Sequence, residues 1–223
     1  MVKTTPSANG RMTKIAPVSN DAEPDIDCQQ PYTVRVTIRG VADLLFHRYG
    51  VEAVAEKAAA KKGSAAKKTD NLESYVFRDD ENRICLPGRY LVASVTNKQN
   101  GAAKYRQDPR SPRKSALDLF KAAIIPMTAL APVLVGGKPV TEWEYEDAQG
   151  VTVNQSRVTR VRPAFKRGWE CSIDLMVSLP QYIDRALLQD VLVDAGRLVG
   201  VGDFRPTFGR FAVTKFEDAI EDN

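Results

Sequence analysis

The chain is poor in the residues that build disulfide and metal chemistry. Its 223 residues include 3 cysteines and 1 histidine. Cys28, Cys85 and Cys171 are odd in number and far apart, which argues against a disulfide framework and fits a reducing cytoplasm. A single histidine cannot supply zinc-type spacing, and no Asp/Glu cluster stands out to hold magnesium, so neither metal nor cofactor is expected. No apolar run is long enough to cross a bilayer, so no membrane association is expected. The N-terminal stretch has no apolar segment of the signal-peptide kind. Residues 1–30 are polar, with Pro, Ser and Asp, and read as a disordered leader.

Positive charge is abundant, and its distribution says more than the net +4. Between Arg83 and Lys121 stand nine basic residues against two acids, Asp108 and Asp118. Arg157, Arg160, Arg162, Lys166 and Arg167 follow with no acid among them, whereas the end, "KFEDAIEDN", is acidic. Basic density of this kind suits a polyanion, because each neutralised phosphate releases a counterion. Its alternative is ordinary solvated surface charge.

Periodicity gives the fold class. "YTVRVTIRG" alternates Val34, Val36 and Ile38 against Thr33, Arg35, Thr37 and Arg39, as a half-buried strand does. A helical region is expected to open near His47, running into a mobile basic insertion near 52–72 that has little to bury. "YVFRDDENRICLPG" reads as a hairpin, and Leu91, Val92 and Val95 fall at helical spacing after Pro87-Gly88. Residues 98–116 are polar, Pro-containing and basic, and are expected to be a mobile loop without a core of its own. "ALDLFKAAIIPM" reads as a helix running into a strand at 123–127. A strand broken at Gly136-Gly137, a turn at Ala148-Gln149-Gly150, and a strand "QSRVTRVRPAF" ended by Pro163 follow.

"WECSIDLMVSL" is a clear strand with Cys171, Ile173, Leu175 and Val177 on one face. A helix over 183–198 should bury Leu187, Leu188, Val191, Ala195 and Leu198, and "RFAVTKF" closes the chain as a strand. The class is α+β, with an antiparallel sheet, helices on one face and basic insertion loops. Its last third has the strand–helix–strand form of half a ferredoxin-like fold. One domain over 31–216, followed by an acidic tail at 217–223, is the expected organisation.

"VGVGDFRPTFGRF" joins that last helix to the last strand. Gly200, Gly202 and Gly209 allow positive φ and a close backbone approach, so N–H groups there could meet phosphate. The spacing is neither a P-loop nor a dinucleotide fingerprint. Glycines mixed with Arg205, Arg210, Phe204 and Phe208 suit a nucleic-acid backbone with bases stacked on rings. The plainer alternative is a helix C-cap and a packed turn, with Asp203 paired to Arg205 or Arg210.

A glycine-rich loop in this position resembles the signature of the RAMP superfamily, the RNA-binding and RNA-processing subunits of CRISPR systems. "RICLPGRYLVASV" is similar to the "IPG-S-x-LKG" helix opening of their backbone subunits, Leu86-Pro87-Gly88 matching and Leu91 aliphatic. Arg89-Tyr90 departs from it where small hydroxyl residues are usual, and Val92-Ala93 replaces Lys-Gly. "YTVRVTIRGVADLLFHR" has the strand-then-helix start of the same subunits. With "SRVTRVRPAF" and the glycine loop, the blocks over about residues 31–216 look most like a phage-encoded family. The resemblance implies an RRM-like core that binds single-stranded nucleic acid and self-associates head to tail, in a bacterial host cell.

The expected binding residues are therefore Arg157, Arg160, Arg162, Arg205 and Arg210 for phosphates, and Phe204, Phe208 and Tyr105 for stacking. Phe165 and Trp169 are further stacking candidates beside the strand-borne arginines. Lys104, Arg106, Arg110, Arg113 and Lys114 would belong to a basic arm that closes over the strand. The expectation is binding without catalysis, to single-stranded DNA or RNA. His47 is the one catalytic candidate: some RAMP endoribonucleases place a histidine early in the chain, and such an enzyme would use it as general acid or base without metal. A third reading is a phage structural or interaction protein whose basic patches meet an acidic partner. The acidic tail could recruit a partner or occupy an empty basic groove.

Overall fold

The computed structural model describes residues 30–48, 59, 71–153 and 156–219. The expected leader, nearly all of the 52–72 insertion and residues 220–223 lie outside the described residues. The strands are β1 (Tyr32–Gly40), β2 (Leu44–Leu45), β3 (Phe77–Arg78), β4 (Ile84–Pro87), β5 (Gln107–Asp108), β6 (Ser111–Ser115), β7 (Ile124–Pro126), β8 (Leu130–Pro132), β9 (Leu134–Val135), β10 (Lys138–Pro139), β11 (Tyr145–Val153), β12 (Ser156–Phe165), β13 (Glu170–Val177) and β14 (Phe211–Asp218). The helices are α1 (Gly88–Thr96), α2 (Leu117–Ala123) and α3 (Arg185–Leu198). The fold is α+β with antiparallel strand pairing.

The main sheet is centred on β1, which pairs antiparallel with β13 on one side and β14 on the other. β7 and β9 share the far edge of β13, at Ile124↔Val177 and Leu134↔Glu170. β13 and β14 therefore run parallel with β1 between them, and α3 makes the crossover. The alternation read in β1 and β13 sets the layers. Val34, Val36, Ile38, Cys171, Ile173, Leu175 and Val177 are buried in one cluster that also holds Leu91, Phe120, Leu188, Val191 and Ala195 from the three helices. Trp169 is fully buried, and its Nε1–H donates to Ala42 O at 2.9 Å. Cys85 and Cys171 are buried free thiols; burial above all, helped by Asp79, pushes Cys85 up to about 12.

The helices follow local rules. Asp184 caps α3, accepting the Leu187 N–H at 2.8 Å, and Leu188, Val191, Leu192 and Ala195 form its buried stripe. Left-handed Gly200 ends it, its N–H bonded to Ala195 O at 2.8 Å. α2 runs straight into β7, as the sequence predicts for "ALDLFKAAIIP".

Several expectations change. Leu198 is 52% exposed, because it lies on the outer face of the last turn. Ala148-Gln149-Gly150 is no turn: these residues pair with Val161, Arg160 and Thr159, and β11 runs on to Val153. Pro163 does not end its strand, because the bond made there uses its carbonyl, which accepts the Phe46 N–H at 3.0 Å. Residues 98–116 do pack against the core. They form a 3-10 turn at Ala102–Tyr105 and the β5–β6 hairpin, burying Ala102, Ala103, Asp108 and Ala116. Glu217 and Asp218 are strand residues rather than tail, with Asp218 accepting from Arg185 at 2.9 Å. His47 follows β2; the helix expected beyond it lies outside the described residues.

Candidate nucleic-acid interface

The glycine loop is held down by its own backbone. The N–H groups of Gly200, Val201, Asp203, Phe208 and Gly209 bond to Ala195, Gly209, Leu45, Phe204 and Asp43 carbonyls at 2.7–3.2 Å. The three glycines have positive φ. A Cβ on Gly202 would stand 2.6 Å from Leu45 O, and one on Gly209 would collide with the Val201 carbonyl. These positions require glycine for close packing and turn geometry, and those N–H groups do not form a phosphate cradle. The packed-turn alternative accounts for the glycines.

The loop exposes Pro206, Thr207 and Arg210, and leaves Asp203, Phe204 and Arg205 half-buried. Asp203 Oδ2 accepts from Arg162 Nε at 2.9 Å and lies 3.5 Å from His47 Nδ1. Its partner is thus Arg162 on β12, not Arg205 or Arg210. The Arg162 side chain is 5% exposed and lies 4.8 Å from the Tyr75 ring centroid and 5.9 Å from that of Phe204. His47 meets Tyr75 edge to face at 5.0 Å. A cation this deep needs its carboxylate, so the pair ties β12 to the loop. Phe204 takes a φ of +50°, a strained setting for a bulky residue.

A second group of cations lines α1. Arg89 lies 5.6 Å from the Phe77 ring centroid and 5.9 Å from that of Tyr90, and Arg48 lies 5.2 Å from Phe77. Phe77 and Tyr90 meet edge to face at 5.8 Å. Burial pushes the Tyr90 phenol above its usual range, so it keeps its proton and can donate. Three hollows follow the helix: about 320 Å³ beside Phe77 and Arg89, about 200 Å³ between Tyr90, Ala93, Gly202 and Arg205, and about 350 Å³ lined by Asn97, Gln99, Asn100 and Gly202–Arg205. Arg205 and Gly202 are common to the last two.

The sequence-derived residues divide. Arg205 and Phe204 line this track, and Lys104 sits at its rim, Nζ donating to Gln99 O at 3.2 Å. Arg162 is behind it as support, with Arg160 two positions out on the same strand face. The Arg157 side chain lies outside the described residues. Arg210 is exposed and closes its own loop on Pro206 O at 2.7 Å, while Phe208 is half-buried. Arg106 is paired with Asp194 on α3, and Arg110 with Asp108 beside Tyr182. Arg113 and Lys114 are exposed on β6, and Tyr105 is exposed before β5. Phe165 and Trp169 are fully buried and cannot stack on a ligand.

Arg48, Arg89, Tyr90, Asn97, Gln99 and Asn100 were missed as site residues. The available signal was Arg89-Tyr90, a cation and a ring side by side at the start of the helix.

Among the described residues no three His, Cys, Asp or Glu side chains converge on a metal position, and no helix is long and apolar enough to cross a membrane. No protein-family model matches the chain, and no curated protein matches it either.

Proposed function

We propose that the chain is a single-stranded nucleic-acid-binding protein without catalytic activity, working in the cytoplasm of a bacterial host cell. The observation that carries this reading is the row of arginines set against rings along α1. Arg48, Arg89 and Arg205 lie beside Phe77, Tyr90 and Phe204, and the hollows between them are open to solvent. Cations in this setting neutralise phosphates; Phe77 is buried, so the half-buried Tyr90 and Phe204 rings are the ones offered to unpaired bases. The core is ferredoxin-like in this reading. Its support is the strand order β14–β1–β13–β7 with α3 crossing over β1. A RAMP-like, phage-encoded origin and head-to-tail self-association belong to the same proposal. Stacking on the sheet itself, in the RRM manner, is not part of the proposal, because the open face of β1 and β13 carries Arg35, Arg39, Asp174 and Glu170 rather than rings.

Fluorescence anisotropy with labelled single-stranded RNA, single-stranded DNA and duplex tests the proposal. Both single strands are expected to bind more tightly than duplex, with affinity falling steeply as salt rises. Equal or tighter duplex binding, or none at all, would overturn it. The contact between His47 Nδ1 and Asp203 supports a second reading, a metal-independent ribonuclease with His47 as general acid or base. That reading requires RNA cleavage in the presence of chelator, abolished by His47→Ala.

A further inference from the structure

Three exposed cations lie outside the arginine row along α1. Arg113 and Lys114 on β6 and Lys121 on α2 make no hydrogen bond or ion pair among the described residues. From Lys104 to Lys121, six basic residues (Lys104, Arg106, Arg110, Arg113, Lys114 and Lys121) stand against Asp108 and Asp118. Asp108 is already taken: it is 4% exposed and accepts from Arg110 Nε at 3.0 Å and Nη2 at 2.7 Å. Arg110 and Lys114 line a hollow of about 340 Å³ together with Ser111 and Ser115. Among the described residues neither serine hydroxyl makes a hydrogen bond. The hairpin therefore offers two cations and two hydroxyl donors to a carboxylate.

The complementary charge is in the same chain. Asp21, Glu23, Asp25 and Asp27 fall at every second position, and no basic residue stands between Lys14 and Arg35. On an extended chain, acids so spaced share one side and recur about every 6.6 Å. This segment enters the fold beside the hairpin. The first described residue ahead of β1 is Gln30, and Tyr32 Oη donates to Ile183 O at 3.0 Å. The neighbouring Tyr182 ring centroid lies 5.7 Å from the Arg110 guanidinium. Asp27 is three residues before Gln30 and Asp21 nine, a reach of roughly 10 to 30 Å when extended.

We propose that residues 21–27 dock on the β5–β6 hairpin of their own chain. One carboxylate enters the hollow, where Arg110, Lys114, Ser111 and Ser115 donate to it, and its neighbours meet Arg113 and Lys121. Exposed ion pairs are individually weak. A short tether offsets this by holding the acids at an effective concentration on the order of 1 mM. The docked segment neutralises this patch and leaves the cations along α1 as the ones open to an external polyanion.

The test uses the full chain and a fluorescein-labelled peptide of residues 18–27, read by anisotropy at about 50 mM salt. In wild type the tethered segment competes with the peptide. The variant Asp21→Asn, Glu23→Gln, Asp25→Asn, Asp27→Asn is expected to bind the peptide about tenfold more tightly than wild type. Adding Arg113→Ser and Lys114→Ser, both at exposed positions of β6, should remove that binding with folding untouched. Equal peptide binding by wild type and the neutralised variant overturns the proposal. So does peptide binding that survives Arg113→Ser with Lys114→Ser. Absence of peptide binding also overturns it, and if Arg113→Ser with Lys114→Ser then weakens binding of a labelled oligo-U strand, the patch serves nucleic acid. Sedimentation velocity tests the choice of occupant: oligomers of wild type that the neutralised variant loses would place the segment on a second copy and overturn docking within one chain.

Discussion

Two surfaces of the molecule carry arginine in quantity and use it in opposite ways. On the open face of β1 and β13, Arg35 meets Asp174 through two bonds of 2.8 and 2.9 Å, Arg39 faces Glu170 at 3.5 Å, and Thr37 meets Ser172 at 2.9 Å. Each cation there has a carboxylate in cross-strand register, so the face is close to neutral and knits the sheet. Along α1 the cations have rings for neighbours. Among the described residues no carboxylate pairs with Arg48, Arg89 or Arg205. A guanidinium over a ring keeps most of its charge available to an incoming anion, whereas one bidentate to a carboxylate does not. Basic density alone cannot tell these surfaces apart; the identity of the neighbour does.

The largest expected effect compares the acids that serve the two surfaces. Asp203→Ala leaves the buried Arg162 guanidinium uncompensated and should cost roughly 3–5 kcal/mol. Asp174→Ala, whose partner Arg35 is 45% exposed, should cost less than about 1 kcal/mol. Urea or thermal unfolding of the two variants checks this, and equal losses would break the comparison.

Next comes binding. Arg48→Ala with Arg89→Ala should weaken single-strand binding about tenfold or more and lower the salt slope by about two, one for each phosphate no longer neutralised. Arg35→Ala with Arg39→Ala should leave both unchanged. If the sheet-face variant loses as much affinity, the strand lies across the sheet and not along α1.

The smallest effect is a pH effect near the site wall. Arg78 donates to Glu73 and to the carbonyls of Asn82 and Thr141, anchoring the turn that carries Tyr75. The bond from Arg78 holds the Glu73 carboxyl below its ordinary value of 4.5. A depressed carboxylate stabilises the fold above its unfolded value, and the contribution is lost as pH falls through the folded value. Arg78→Met should therefore flatten the decline in stability below about pH 4.5. An acid limb identical to wild type would show the pair to be fully screened.

How much could be read beforehand differs between fold and site. The alternation of Val34, Val36 and Ile38, the face of Cys171 to Val177, and the stripe Leu188, Val191 and Ala195 were legible because burial imposes periods of two and 3.6 on the chain itself. Gly150 and Pro163 misled because local turn chemistry was overridden by the ladder between β11 and β12. For the site, Arg205 and Phe204 were found as part of one loop, whereas Arg162 looked like a surface cation. Its burial depends on Tyr75 and Asp203, distant in the chain.

The α+β class, the strands β1 and β13, the helix α3 and the abundance of positive charge followed from composition and local periodicity, since hydrophobic patterning acts over neighbouring residues. Which arginines were neutralised, which glycines served packing, and which rings were sealed in the core were settled only when β2, β12, α1 and the loop after α3 met. Those outcomes depend on distances between residues far apart in the chain, and a linear sequence carries residue type and spacing but not the neighbours that decide a charge's environment.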